Sequence, residues 1–93
     1  MGKLNQFDYM GYSISANTYK TKNALEVFED GVLYWLRYGD EWLEIKDGHI
    51  FWLGNQTYED YGIATEDNLK KTLNDVREVE EYILSFMDNE QKL

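Results

Sequence analysis

Three stretches between Val32 and Leu53 are rich in β-forming residues, and short turn sequences separate them. The stretches are VLYWLRY, EWLEIK and HIFWL, and the dipeptides Gly39-Asp40 and Asp47-Gly48 stand between them. Glycine and aspartate tolerate the positive φ angles that two-residue hairpin turns require. The pattern therefore predicts a three-stranded antiparallel meander with two tight turns.

Two-residue turns determine how the strands pair and which residues share a face. They predict five pairs: Tyr38 with Glu41, Leu36 with Leu43, Tyr34 with Ile45, Ile45 with Ile50, and Leu43 with Trp52. One face then carries residues suited to a core, namely Tyr34, Leu36, Leu43, Ile45, Ile50 and Trp52.

The opposite face of the predicted meander mixes aromatic rings with ions. It carries Leu33, Trp35, Arg37, Trp42, Glu44, Lys46, His49, Phe51 and Leu53. The predicted pairing puts Arg37 opposite Trp42, which suits a cation–π contact, and Glu44 between Trp35 and Phe51. Such a face is either covered by the N-terminal strand or a short helix, or exposed as a binding surface. The sequence leaves both alternatives open.

The segments before the meander are less clearly patterned. Phe7–Ile14 is typical of a strand, with a bulge at Gly11. Thr21–Asp30 fits a short helix, because it has an N-cap residue, a glycine after its end and three apolar residues on one helical face: Thr21, Gly31, Ala24, Leu25 and Phe28. The alternation of Leu25, Glu26 and Val27 also fits a strand. We favour the helix.

The C-terminal part of the chain predicts a long helix over Thr65–Glu90, preceded by a loop or short edge strand over Asn55–Thr65. Apolar residues recur at helical spacing and form the stripe expected to pack on the sheet: Leu69, Leu73, Val76, Val79, Ile83, Phe86 and Met87. We therefore expect one α+β domain over residues 1–93. Its antiparallel sheet comprises the meander 32–53 and the N-terminal strand, and the helix packs on one face.

Composition argues against most catalytic chemistry. The 93-residue chain has no cysteine and one histidine, and its glycines do not form a phosphate-binding loop. We expect no enzyme activity, no cofactor and no metal site. No apolar run reaches the length of a membrane span and the N-terminus lacks a signal-peptide core, so we expect a cytoplasmic protein. The sequence does not decide between a monomer and a dimer.

Acidic residues outnumber basic ones 18 to 9, which gives a net charge of −9. The excess lies in residues 26–67, where eleven acids face only Arg37 and Lys46. Such a chain is repelled by nucleic acid and anionic lipid, so we expect neither as a direct partner. The acidity either keeps a small protein soluble or presents an acidic face to a basic partner.

A short acidic chain without cysteine or proline, rich in tyrosine and tryptophan, with a hairpin meander and a terminal helix, resembles small proteins of phages and mobile elements. Among these are anti-CRISPR and anti-restriction proteins, several of them DNA mimics. The resemblance covers the whole chain through size, charge and layout, and it transfers no site residue. It implies an inhibitor of a basic nucleic-acid-binding protein, such as a host nuclease or CRISPR effector.

Two alternatives remain from the residues alone: an immunity or antitoxin-like partner of a basic toxin, and a noncatalytic structural or adaptor domain. For an inhibitor, carboxylates can imitate phosphates while buried aromatic rings slow dissociation. We expect its contact surface to combine the aromatic strand face with nearby acids and tyrosines: Trp35, Trp42, Phe51, Asp40, Glu41, Glu44, Asp47, Tyr58, Glu59, Asp60 and Tyr61.

Overall fold

The computed structural model describes the backbone of residues 3–20 and 26–91 and the side chains of residues 6–20 and 27–86. Within these residues it has two antiparallel sheets and a C-terminal helix packed against them, which confirms the α+β prediction. The elements are β1 (Lys3–Tyr9), β2 (Tyr12–Lys20), β3 (Glu26–Phe28), β4 (Gly31–Trp35), β5 (Trp42–Lys46), β6 (His49–Leu53), β7 (Tyr58–Ile63) and α1 (Glu66–Gln91). The first three strands form one sheet and the last four the other, so the N-terminal strands do not extend the meander's sheet.

The N-terminal region is a hairpin, and the prediction of one bulged strand over Phe7–Ile14 is wrong. β1 and β2 pair across a two-residue turn at Met10 and Gly11, which brings Tyr9 opposite Tyr12. Both turn residues have positive φ, 52° and 88°. This is the backbone of a tight hairpin turn, in which glycine at the second position relieves the strain.

The helix predicted for Thr21–Asp30 is wrong where the structure describes the segment. β3 pairs with β2 as a short strand, and Phe28 lies opposite Thr18. The strand alternative wins because pairing with β2 satisfies the backbone and leaves Phe28 only 3% exposed. Thr21 to Leu25, which contain the predicted cap, lie outside the described residues.

The second half of the meander confirms the prediction. β5 and β6 pair Ile45 with Ile50 and Leu43 with Trp52. The turn between them is Asp47-Gly48, whose φ angles are 53° and 75°. These angles are those of a two-residue hairpin turn, which sets the register of the two strands.

The first half of the meander differs from the prediction. β4 ends at Trp35, β5 begins at Trp42, and residues 36–41 form a loop rather than a two-residue turn at Gly39-Asp40. Trp35 therefore pairs with Trp42, and the predicted pairs Tyr38 with Glu41, Leu36 with Leu43 and Tyr34 with Ile45 are wrong. The predicted contact between Arg37 and Trp42 is wrong for the same reason.

Two local features account for this shifted register. The ladder is irregular between Val32 and Tyr34, so Tyr34 lies opposite Leu43. The Leu36 backbone N–H donates to the Glu41 carbonyl at 3.0 Å and closes the loop. Leu36 is only 7% exposed, so the longer loop still buries the residue predicted to be core.

Helix α1 begins where the sequence predicts and packs its first half on the four-stranded sheet. The Thr65 hydroxyl caps it by accepting from the Asn68 backbone N–H at 3.2 Å. Leu69, Leu73 and Val76 are fully buried, as predicted. Phe86 is 58% exposed, so its predicted place in the packing stripe is wrong. The side chain of Met87 lies outside the described residues.

The core joins both sheets to the helix. The predicted core face of the meander is buried except for Tyr34, which is half-buried. The first sheet adds the alternating inward residues of β2 and one residue of β3: Tyr12, Ile14, Ala16 and Phe28. No helix in the described part of the chain is both long and apolar enough to cross a membrane.

Candidate functional site

The four-stranded sheet has a face that the helix does not cover, which we call the outer face. By strand register it carries Val32, Trp35, Trp42, Glu44, Lys46, His49, Phe51, Leu53, Tyr58, Asp60 and Ile63. Trp35 is 60% exposed and Tyr58 is 72% exposed, while Trp42, Phe51 and Leu53 are half-buried. Of the two alternatives from the sequence, the structure has an exposed aromatic face.

The aromatic rings of the outer face form two clusters. The Trp35 and Trp42 rings lie 5.0 Å apart, because the shifted register of β4 makes them directly opposite neighbours. Phe51 lies 5.4 Å from Tyr58 and stacks on His49 at 6.2 Å. Ring separations in this range are favourable, so the clusters are ordered by their own contacts.

Two carboxylates of the outer face are oriented by hydrogen bonds. Glu44 accepts from the Trp42 indole N–H at 2.8 Å. Asp60 accepts from the Gly62 backbone N–H at 2.8 Å and lies 3.1 Å from His49 Nδ1. These donors, the Gly62 N–H foremost, hold the pKa of Asp60 below its usual value. Negative charge is thereby kept in fixed positions between the rings.

Exposed acids also stand at both ends of the outer face. Asp40 lies in the loop before β5 and accepts from the Asn55 amide at 3.2 Å. Asp47 lies in the turn after β5, and the Asp30 carboxylate accepts from its backbone N–H at 3.1 Å. The turn between β5 and β6 therefore places Asp47 beside Asp30.

The remaining predicted site residues lie on the helix side of the sheet. Glu59 is opposite Trp52, and Glu41 accepts from the Trp52 indole N–H at 2.8 Å. Tyr61 donates to Asp75 of the helix at 3.0 Å, and burial followed by this bond raises the Tyr61 pKa. The sheet therefore divides the predicted set between its two faces.

A shallow hollow of about 270 Å³ lies on the outer face. Its walls combine Phe51, Leu53 and Tyr58 with Lys46 and Asp47. An apolar floor with ions at one side can receive a side chain of a partner protein.

A buried carboxylate that the sequence does not single out, Glu80, joins the helix to both sheets. Glu80 is 2% exposed and accepts from the Tyr12 hydroxyl at 2.6 Å, the Tyr34 hydroxyl at 3.1 Å and the Arg37 backbone N–H at 2.7 Å. Burial and then the Glu80 bond raise the Tyr12 pKa, while in Tyr34 burial is followed by the Glu80 charge. Glu80 continues the helical spacing of Leu73 and Val76, and this spacing is the sequence signal that indicates a position on the buried face of the helix.

No group of three or more histidine, aspartate and glutamate side chains in the described residues is arranged to hold a metal ion. His49, the single histidine, is engaged with Asp60 at the edge of the outer face. What the arrangement offers is recognition: rings, carboxylates and a shallow hollow on one side of a sheet.

Comparison with known proteins assigns no residue of this chain a role. No family model matches the sequence, and neither the curated proteins nor the solved structures yield a match. A proposal for the function therefore rests on the chemistry of the outer face and on the distribution of charge.

Proposed function

We propose that this chain is a noncatalytic inhibitor that docks its outer face on a basic nucleic-acid-binding surface of another protein. It would act in the cytoplasm in the manner of anti-CRISPR or anti-restriction proteins, including DNA mimics. The observation that carries the proposal is a sheet face on which Trp35 and Tyr58 are 60% and 72% exposed among oriented carboxylates. Large exposed apolar patches are rare on proteins that have no partner.

The rings and the acids of the outer face have different tasks in such a complex. The rings of Trp35, Trp42, Phe51 and Tyr58 provide area that is desolvated on docking, and aromatic residues dominate the energy of most interfaces. The carboxylates attract a basic partner over a distance and pair with its arginine and lysine donors. Charge alone gives fast encounter and short residence, so a tight inhibitor needs both.

The position of the charge supports the same interpretation. The acid-rich segment 26–67 contains the whole four-stranded sheet, and Asp40, Glu44, Asp47 and Asp60 of this segment lie on or beside the outer face. Carboxylates accept from the same arginine and lysine donors that bind phosphates, and in this way they imitate the backbone of a nucleic acid. A surface that binds DNA or RNA through lysine and arginine is therefore the chemistry that fits this face.

The test uses variants that remove charge and retain hydrogen bonding. The outer-face variant carries Asp40→Asn, Glu44→Gln, Asp47→Asn and Asp60→Asn, in which each amide oxygen keeps the role of acceptor. The matched control carries Asp8→Asn, Glu66→Gln, Glu78→Gln and Glu81→Gln, whose carboxylates are exposed and lie off the outer face. Both variants change the net charge equally, so they separate position from total charge.

Each protein is immobilised and used to capture partners from bacterial lysate with and without competing duplex DNA. We expect the wild type and the control to retain a nucleic-acid-binding protein that DNA and salt displace. The outer-face variant and Trp35→Ala should lose it. Equal capture by all four proteins would contradict the proposal and favour an adaptor in which acidity maintains solubility. Capture of a basic toxin that DNA does not displace would favour the immunity alternative.

A further inference from the structure

A second hollow lies on the helix side of the sheet, with the sheet between it and the outer face. It measures about 420 Å³ and opens between the loop after β4, strands β6 and β7, and helix α1. We call it the inner hollow; its lining includes Tyr38, Glu41, Trp52, Glu59 and Tyr61. Its size is in the range of sites that hold a small ligand or one long side chain.

The walls of the inner hollow are aromatic. Trp52 is 6% exposed and supplies a fixed ring, while Tyr38 and Tyr61, which also line the hollow, are half-buried. Burial and then the charge of Glu41 raise the pKa of Tyr38 to about 12, so its ring stays an uncharged phenol well above neutral pH. The faces of such rings attract cations, and planar cations stack on them.

Two carboxylates belong to the same hollow. Glu41 is held against Trp52 by the indole N–H at 2.8 Å, and Glu59 lies opposite Trp52 on the edge strand. Glu59 is exposed and Glu41 is half-buried, so the charges stand at the rim rather than in the core. Among the residues that line the hollow there is no lysine or arginine.

The floor of the inner hollow is apolar. Val79 and Ile83 of helix α1 are half-buried and line it. The aliphatic stem of a long cationic side chain packs on such a floor while its charged end reaches the carboxylates. Rings, carboxylates and apolar floor together are complementary to a cation on an alkyl chain.

We propose that the inner hollow binds the guanidinium group of an arginine side chain presented by another polypeptide. Arginine fits better than lysine, because its planar group stacks on rings and forms paired bonds to carboxylates. This site is separate from the outer face, so it stands or falls independently of the proposed inhibitor function. It adds a second recognition element on the other side of the sheet.

The three tryptophan indole N–H groups allow a direct test by nitrogen-15 NMR. Trp52 reports on the inner hollow, while Trp35 and Trp42 report on the outer face; Trp35→Phe and Trp42→Phe variants assign the signals. The probe is the blocked peptide acetyl-Gly-Arg-Gly-amide, titrated at low ionic strength. We expect a saturable shift of the Trp52 signal and no comparable shift of the other two. The citrulline analogue of the peptide is neutral and should produce none.

Glu41→Gln has a matched control on the outer face. In Glu41→Gln the amide oxygen still accepts from Trp52, yet peptide binding should weaken about tenfold or more, the loss expected for one charge-assisted hydrogen bond. Glu44→Gln makes the same change beside Trp42 and should leave the Trp52 titration unchanged. Because Glu59 is exposed, Glu59→Gln gives a second weakening variant that does not endanger the fold.

Three results would overturn the proposal. The first is the absence of a Trp52 shift in the folded wild type, and the second is equal binding of the citrulline peptide. The third is equal affinity for methylguanidinium alone, which would show that the hollow does not select a peptide-borne side chain. None of these results bears on capture through the outer face, so the two proposals fail separately.

Discussion

The two faces of the four-stranded sheet contain the same local interaction in opposite surroundings. On the outer face the Trp42 indole donates to Glu44, and on the helix side the Trp52 indole donates to Glu41, both at 2.8 Å. Trp52 is 6% exposed under the helix, whereas Trp42 is half-buried beside a Trp35 that is 60% exposed. Tryptophan thus contributes to folding on the helix side, where Trp52 lies, and remains accessible on the outer face, where Trp42 lies on the adjacent strand.

The difference follows from where the apolar area is buried. On the helix side, rings and aliphatic side chains lose their contact with water when the chain folds, and this area stabilises the fold. On the outer face, much of the aromatic area is still hydrated in the folded chain. In the proposed complex the partner buries this area, so mutations on the outer face should affect binding far more than stability.

The largest expected effect compares Trp52→Ala with Trp35→Ala. Loss of the buried Trp52 ring should lower the free energy of unfolding by about 3–5 kcal/mol, because it removes packing and leaves a cavity. Loss of Trp35 removes an exposed ring and one ring–ring contact, for which we expect about 1 kcal/mol. Urea unfolding followed by far-ultraviolet circular dichroism measures both. Similar losses in the two variants would show that the outer face is covered in the folded chain.

The next effect concerns Glu80, which has no counterpart on the outer face. Glu80→Ala leaves the Tyr12 and Tyr34 hydroxyls and the Arg37 N–H without their acceptor. A buried donor left unsatisfied costs about 1–3 kcal/mol, and of these three residues only Tyr12 is buried, so we expect a loss of about 1–3 kcal/mol. Glu80→Gln retains an acceptor oxygen and should lose less. If Glu80→Ala unfolds at the wild-type urea midpoint, the cluster does not hold the helix to the sheets.

A smaller effect on the free energy of unfolding is expected at alkaline pH, and it comes from the buried Tyr12 rather than from the outer face. An unfolded tyrosine loses its proton near pH 10, whereas burial and the bond to Glu80 raise the pKa of Tyr12 in the folded chain. Above pH 10 the folded state therefore holds more protons than the unfolded state, and stability falls as pH rises. The loss approaches about 1.4 kcal/mol per pH unit for each such tyrosine.

The control for the alkaline effect is Tyr12→Phe, which removes the titrating group. Its stability should be lower at pH 8 but should fall less steeply between pH 10 and pH 11 than that of the wild type. Urea midpoints at each pH provide the slopes. Equal slopes in the two proteins would mean that Tyr12 ionises in the folded chain.

The sequence predicted those features that depend on local chemistry. The Asp47-Gly48 turn set the register of β5 and β6, and period-two alternation from that turn placed Trp42 and Phe51 on one face and Trp52 on the other. The helical spacing of Leu69 and Leu73 likewise identified the face of the helix that packs on the sheet. In each case neighbours in sequence determine the conformation.

The features that the sequence did not predict depend on distant residues. The loop over residues 36–41 is longer than its Gly39-Asp40 turn suggests, because Leu36 enters the core and the Arg37 N–H bonds to Glu80 of the helix. Proximity in sequence groups Glu41 and Glu59 with the acids of the outer face. In the structure, however, Glu41 accepts from the Trp52 indole and strand register puts Glu59 opposite Trp52. Long-range contacts thus determined the register of β4 with β5 and divided the predicted site residues between the two faces of the sheet.

The smallest expected effect concerns the His49 and Asp60 pair at the outer edge. The main cause of the low Asp60 pKa is the Gly62 backbone N–H, and the bond to His49 is the second. In His49→Ala we therefore expect the Asp60 pKa, followed by carbon-13 NMR of its carboxyl group, to rise slightly and to stay below the ordinary value of 3.8. Since Asp60 keeps its charge at neutral pH, partner capture should survive this substitution. An Asp60 pKa that returns to 3.8 would show that the imidazole, and not the strand backbone, orients this carboxylate. A loss of capture with the fold intact would instead give His49 a direct role, which the outer-face proposal does not require.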